Sequence, residues 1–179
     1  MDEQERRSFD RFVAERSPAL LHAAHLLTGD RYRAQDVLQE TLVSCYLRWG
    51  RLDAPEAYAR RVLYTTVVDW WRRPWTREHS VESVPDTAAT ADATEMHAER
   101  DRVLRSLARL SARQRAVVVL RYYEQLSEAE TARALHCSVG NVKSTSSRAL
   151  HRLARDPDLN PKEEGIHGGA ISPARRPRL

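Results

Sequence analysis

Apolar residues recur three and four positions apart along most of the chain, while runs of alternating β-branched residues are few. That is the period of helices with one buried face, so the pattern predicts an all-α protein. Breaks are expected at Ser17-Pro18, at Gly29-Asp30, between Trp49 and Pro55, and at Arg73-Pro74, where capping residues, glycine or proline interrupt the period. They divide residues 1–75 into about four helices, the first of two expected domains. Asp53, followed by Pro55 and Glu56, reads as a helix start in which Asp caps free amides and Glu reaches back.

Residues 30–48 predict one helix with Ala34, Leu38, Leu42, Cys45 and Trp49 as its core stripe. A second surface groups Asp36, Gln39, Glu40, Val43 and Leu47, placing carboxylates beside apolar residues that the main stripe does not cover. Such a surface suits a protein partner, with apolar contact supplying burial and charge supplying orientation. Packing of Val43 and Leu47 under a neighbouring helix accounts for the pattern equally well.

The next helix, over residues 54–73, has Ala59, Leu63, Val67 and Trp70 on its buried side and Arg61, Thr65, Arg72 and Arg73 on the other, with Tyr58, Tyr64 and Trp71 at the borders. Aromatics interleaved with arginines allow base stacking beside phosphate neutralisation, as in proteins that hold unpaired strands. Trp residues also serve commonly as core.

Residues 76–94 are small, acidic and without helical period, and read as a flexible linker. The second domain is expected over residues 95–156, with Val103, Leu104, Leu107, Leu110 and Val117 to Leu120 as apolar positions. Ser111 and Ser127 are helix starts, and Ser127 with Glu130 makes an S-x-x-E capping box. A short helix over 127–135, a tight turn at His136-Cys137 and a longer helix capped by Ser138 form the helix-turn-helix plan. On a helical wheel Val139, Val142, Ser146, Ala149, Leu150 and Leu153 face inward, towards Ala129, Ala132 and Leu135. Asn141, Ser144, Ser147, Arg148, His151, Arg152 and Arg155 face away. Short polar residues at the start of the helix and arginines further along suit base edges first and phosphates after. With no glycine at the turn, His136 must itself take a left-handed conformation. Residues 157–179, rich in Pro and Gly and ending in Arg175, Arg176 and Arg178, read as a disordered tail.

Charge sharpens this picture. Residues 100–155 hold twelve Arg or Lys against four Asp or Glu, whereas residues 76–99 hold one against six. With a pI near 9.4 for the chain, the basic block is the footprint of a polyanion binder. No apolar run approaches the length needed to cross a bilayer and the first residues lack a secretory signal, so a cytoplasmic protein is expected. Cys45 and Cys137 lack CxxC spacing and read as small core residues. His22 and His25 form HxxH without a third ligand, and no phosphate loop, nucleophile elbow or paired-acid motif is present. No enzyme, metal or cofactor is implied.

DVLQETL at Asp36 to Leu42, AYARRVLYTTVVDWWRR at Ala57 to Arg73 and SEAETARALHCSVGNVKS at Ser127 to Ser144 together resemble the bacterial extracytoplasmic-function sigma factors, most closely an actinobacterial subgroup. The resemblance runs from about Phe9 to Arg155. It implies that Asp36, Gln39, Glu40 and Val43 contact core RNA polymerase at the β′ clamp helices, with the β flap as a further contact. It also implies −10 recognition and melting by Arg51, Asp53, Arg61, Tyr64, Thr65, Trp71, Arg72 and Arg73, and −35 recognition by Asn141, Lys143, Ser144, Ser147, Arg148 and Arg152. Extruding a base costs a few kcal/mol of unstacking, which pocket contacts and backbone neutralisation must offset. An anti-sigma partner is a further implication. Thr145 and His136 depart from the residues common in relatives, Arg and Gly. The competing function is a regulator that binds duplex operators without joining polymerase. It predicts tight specific binding by the isolated chain and has no use for the Asp36-Gln39-Glu40 face.

Overall fold

The structure is a computed structural model that describes residues 2–72 and 95–159. The expected linker, residues 160–179 of the tail and the break at Arg73-Pro74 lie outside the described residues, whereas residues 157–159, expected in the disordered tail, form a turn in which Asp158 pairs with Arg105 and Arg109 at 3.6 and 2.8 Å. Every regular element among the described residues is helical: α1 Glu3–Thr28, α2 Arg31–Tyr46, a 3-10 turn Trp49–Arg51, α3 Pro55–Arg72, α4 Glu95–Ala108, α5 Ala112–Val118, a π turn Val119–Tyr123, α6 Glu128–Ala134 and α7 Val139–Leu153. Helices α1 to α3 pack on one another as a first bundle, while α5, the π turn, α6 and α7 form a second. The two are in contact, α1 against α5 and the π turn, and α3 against α6.

Local chemistry sets most of the boundaries. Asp2 and Glu5 form a capping box at the start of α1. Gly29 closes that helix in the left-handed region at φ +69°, where L side chains are strained. Asp30 then caps α2 by accepting from the Arg33 N–H at 2.8 Å. Ser111 with Gln114, and Ser127 with Glu130, make the capping boxes of α5 and α6. At the start of α3 the expectation fails. The helix begins with Pro55 at its first position, but Asp53 is exposed and Glu56 turns away to pair with Arg16 and Arg60 at 3.3 and 3.2 Å.

The expected break at Ser17-Pro18 also does not occur, because α1 runs through Pro18. A proline inside a helix costs about 3 kcal/mol. One unbroken rod, however, carries Leu20, Ala23, Ala24, Leu26 and Leu27 into the core together, and each Leu so buried is worth about 1.5–3 kcal/mol. Three α-helices and a 3-10 turn therefore replace the expected four helices.

The core of α2 is rotated from the expected stripe. Ala34, Val37, Thr41 and Cys45 are fully buried, while Leu38, Leu42 and Trp49 are only half-buried. Thr41 tolerates that position because its hydroxyl donates to the Val37 carbonyl at 2.8 Å, leaving a methyl to the core. Burial pushes the Cys45 thiol up to about 11, so it behaves as an inert small apolar group. Cys137 is half-buried against the second core. No helix among the described residues is long and apolar enough to cross a membrane.

Candidate nucleic-acid interface

The helix-turn-helix forms where the pattern placed it. After α6, His136 takes φ +48°, the Cys137 N–H donates to the Ala132 carbonyl at 2.9 Å and the His136 N–H to Arg133 at 3.2 Å. These two bonds are a Schellman stop, built on histidine in place of glycine. Ser138 then caps α7 by accepting from the Asn141 N–H at 3.2 Å. The helix buries Val142, Thr145, Ser146 and Ala149 against Thr131, Ala132 and Leu135 of the same core. Val139, Leu150 and Ala129, expected inside, are exposed instead. Thr145 takes the inward place, with its hydroxyl donating to the Asn141 Oδ1 at 3.1 Å. Position 145 therefore makes an internal bond and faces away from solvent.

The outward face of α7 presents Lys143, Ser144, Ser147, Arg148, His151 and Arg152 to solvent, with Asn141 half-buried and Arg155 exposed just past the helix end. Lys143 lies 3.5 Å from Glu128 and the Arg148 Nε donates to the Ser144 carbonyl at 3.1 Å, both exposed contacts that solvent screens. The face is one polar and basic strip along one side of the helix.

On α2, Asp36, Gln39 and Glu40 are all exposed, beside Val43 at 58% and Leu47 at 76% exposure. The alternative in which these two apolar residues pack beneath a neighbour is ruled out. An acidic and apolar strip thus stands on the first bundle with none of the described residues folded against it.

The face of α3 is divided. Arg51 and Asp53, in the approach to α3, and Arg61 on the helix are exposed, and Thr65 is half-buried with its hydroxyl bonded to the Arg61 and Val62 carbonyls. Trp70 and Trp71 are partly buried against the core. The side chain of Arg72 and all of Arg73 lie outside the described residues. Tyr64, expected at the border and available for stacking, is instead only 5% exposed. Its hydroxyl donates to Glu124, which also receives Arg60. Burial and the Glu124 charge raise the Tyr64 pKa well above the usual phenol range. Residues Arg60 and Glu124 escaped sequence reasoning, since only the fold brings positions 64 residues apart together.

A cleft of about 530 Å³ lies between the bundles, lined by His22 and Leu26 of α1, Val103 and Leu107 of α4, and Tyr122 and Tyr123 of the π turn. His22 meets the edge of Tyr123 at a ring separation of 5.4 Å, and burial together with Arg100 lowers its pKa.

Two helical bundles, the second a helix-turn-helix, define a class of DNA-directed transcription factor, and sequence comparison resolves it further. Residues 12–77 match Sigma-70 region 2 and residues 100–153 match Sigma-70, region 4. The chain belongs to the sigma-70 family of RNA polymerase sigma factors, in its extracytoplasmic-function group. It is 46% identical over 151 residues to the RNA polymerase sigma-E factor of Streptomyces avermitilis, spanning 83% of this chain and 84% of the relative. It is 32% identical over 154 residues to the ECF RNA polymerase sigma factor SigM of Mycobacterium tuberculosis, spanning 84% and 78%. The fold is similar to the sigma factor RpoE of Bartonella quintana, solved with the anti-sigma factor NepR, at a TM-score of 0.61 and 24% identity over 88% of this chain and 99% of that one.

Proposed function

We propose that this sigma factor acts in the cytoplasm and catalyses no reaction itself, docking core RNA polymerase by the exposed strip of α2 and leaving the chemistry to the polymerase. Asp36, Gln39, Glu40 and Val43 contact the β′ clamp helices. The observation that carries this reading is the uncovered acidic and apolar strip, since two carboxylates and an amide beside a 58% exposed valine have no packing role among the described residues. The outward strip of α7, with Asn141, Lys143, Ser144, Ser147, Arg148 and Arg152, reads the −35 element as duplex. Residues 1–75 and 95–156 act as the two functional domains, joined by 76–94. In the first of them, Arg51, Asp53, Arg61, Thr65, Trp71, Arg72 and Arg73 serve the −10 element. Tyr64 belongs to the same set, and in the folded arrangement it is turned inward to Glu124.

The test is run-off transcription with core polymerase and a pool of promoter fragments, comparing the native chain with Glu40→Lys. Losing one partner of an interfacial charge pair costs about 2–5 kcal/mol, so initiation should fall by about thirtyfold or more. Initiation unaffected by the reversal would move the docking face away from α2. As a second reading, favoured by the apolar cleft between the bundles, an anti-sigma partner would insert a segment against Leu26, Val103, Leu107 and Tyr122. Val103→Asp should then weaken that capture while leaving polymerase docking intact.

A further inference from the structure

Two residues of α3, Arg60 and Tyr64, converge on one carboxylate from the other bundle. The Glu124 Oε2 accepts from both the Arg60 guanidinium and the Tyr64 hydroxyl, and its side chain is 2% exposed. A cation and a hydroxyl one helical turn apart, converging on one anionic oxygen, form an anion-binding pair. The same helix carries Arg61 on its open face, so α3 already has one residue placed for a nucleic-acid backbone.

Glu124 is an imperfect occupant. Its Oε1 is buried with no hydrogen-bond partner among the described residues. A desolvated carboxylate with one oxygen unmatched recovers only part of its dehydration penalty, so the contact holds less firmly than a fully satisfied pair would. A phosphate presents more acceptor oxygens to the same donors and sits at the edge of a strand that keeps the rest of it hydrated.

The backbone around Glu124 is unusual as well. It follows the single π turn among the described residues, Val119–Tyr123, and precedes Gln125, which adopts φ +56° without being glycine. The Glu124 N–H reaches back five residues to the Val119 carbonyl at 2.9 Å, and the Leu126 N–H reaches back six to Leu120 at 2.9 Å. One π turn swings Glu124 around relative to α5, and sparsely populated conformations of this kind persist where surrounding contacts hold them. The same turn is tied to α7, where the Tyr122 hydroxyl meets the Ser146 Oγ at 3.1 Å. A second contact closes the bundles from the other side. The Arg115 Nη1 donates to the Thr28 carbonyl at 2.8 Å, at the negative end of α1, and a Cβ at Gly29 would fall 1.8 Å from that nitrogen and push the guanidinium aside.

We propose that Arg60 and Tyr64 are a backbone-phosphate site for single-stranded DNA, occupied in the closed chain by the Glu124 carboxylate as an internal stand-in, so that strand capture on α3 and separation of the bundles are one event. The proposal rests on the assignment of α3 to the −10 element. It explains why a tyrosine on the strand-holding helix is buried. Free chain is held closed and binds unpaired DNA weakly. Separation of the bundles surrenders Glu124 to water and the donor pair to a phosphate.

The full chain is titrated with a fluorescein-labelled single-stranded 15-mer of mixed sequence, as native protein and as Glu124→Gln, and amide exchange of α3 and of residues 119–126 is followed without DNA. Removing the charge from a buried hydrogen-bonded pair should raise the oligonucleotide affinity on the order of tenfold and speed exchange of both segments by a similar factor. Adding Arg60→Ala or Tyr64→Phe to Glu124→Gln should abolish the gain in affinity while keeping the faster exchange. Should Glu124→Gln fail to fold, Glu124→Asp, too short to reach both donors, takes its place with the same expectations. Faster exchange without tighter binding would reduce the contact to simple packing and overturn the proposal. Unchanged exchange would overturn it too, because no latch would then exist. Neither readout involves polymerase, so a chain that initiates transcription yet fails here contradicts this inference alone, whereas failure of initiation contradicts the sigma assignment of its surfaces.

Discussion

Helices α3 and α7 are the two surfaces assigned to DNA, and they are presented in opposite ways. The outward strip of α7 stands open along its length, whereas α3 exposes Arg61, keeps Thr65 half-buried and surrenders Arg60 and Tyr64 to Glu124. The difference follows from what each must read. Duplex offers its pattern in the groove at no cost in structure, so a preformed rod suffices. Unpaired strand exists only after bases have been unstacked, and a helix open to it at all times would bind any single strand it met. On the proposed assignments, the duplex-reading face is preformed, while strand capture waits on release of Glu124.

The largest expected effect comes from breaking the packing that both arrangements share. Leu63 is fully buried on α3, and Leu63→Ala should destabilise the first bundle by about 2–5 kcal/mol in urea unfolding, with the second bundle retaining its midpoint. A single joint transition lowered for both bundles would show that the contact across them is stronger than a releasable latch allows. Next in size is the open strip. Arg148→Ala, measured on promoter duplex with the polymerase-bound chain, should reduce the salt slope of binding by about one and weaken all sequences alike, as expected for a phosphate contact. A change confined to one base position would make Arg148 a base reader.

Smaller still is the cap that sets where α7 begins. Ser138→Ala should cost about 1 kcal/mol in the second bundle, with far less effect on the first. The smallest prediction concerns pH. Burial and Arg100 hold the folded His22 pKa below its ordinary value of 6.5, so the folded form favours the neutral ring. Its contribution is fully present above about pH 6.5 and is lost as pH falls towards the folded value, because the unfolded chain binds the proton first. His22→Gln should remove that part of the slope from the urea midpoint between pH 7.5 and 5.5, and an identical slope in the variant would place the titration elsewhere.

Much of this architecture was legible in the sequence because its signals are local. Ser111, Ser127, Ser138, Gly29 and Asp30 cap or stop helices through bonds spanning three or four residues, and each performs as its type and position suggest. The exposed strip of α2 was legible for the same reason, since the period of a single helix groups it. What was missed depends on tertiary competition. Pro18 reads as a break until the apolar residues beyond it are seen to share one core. Thr41, Thr131 and Thr145 read as polar, yet each is buried; Thr41 and Thr145 bond within their own helices. That shifts the inward faces of α2 and α7 away from Leu38 and Leu150. Tyr64 and Arg60 were illegible for a stronger reason: their partner, Glu124, comes from the other bundle, and no spacing rule connects them.

The central claim is that this chain opens a promoter only as part of the polymerase. Permanganate reactivity of thymines across a promoter fragment, with core enzyme alone, with the chain alone and with both, tests it most directly. The account predicts reactive thymines near the −10 element only when both are present, with reactivity lost for Glu40→Lys. Sequence-specific protection of the duplex by the chain alone, with no opening when core enzyme is added, would contradict it and leave a regulator that works without polymerase.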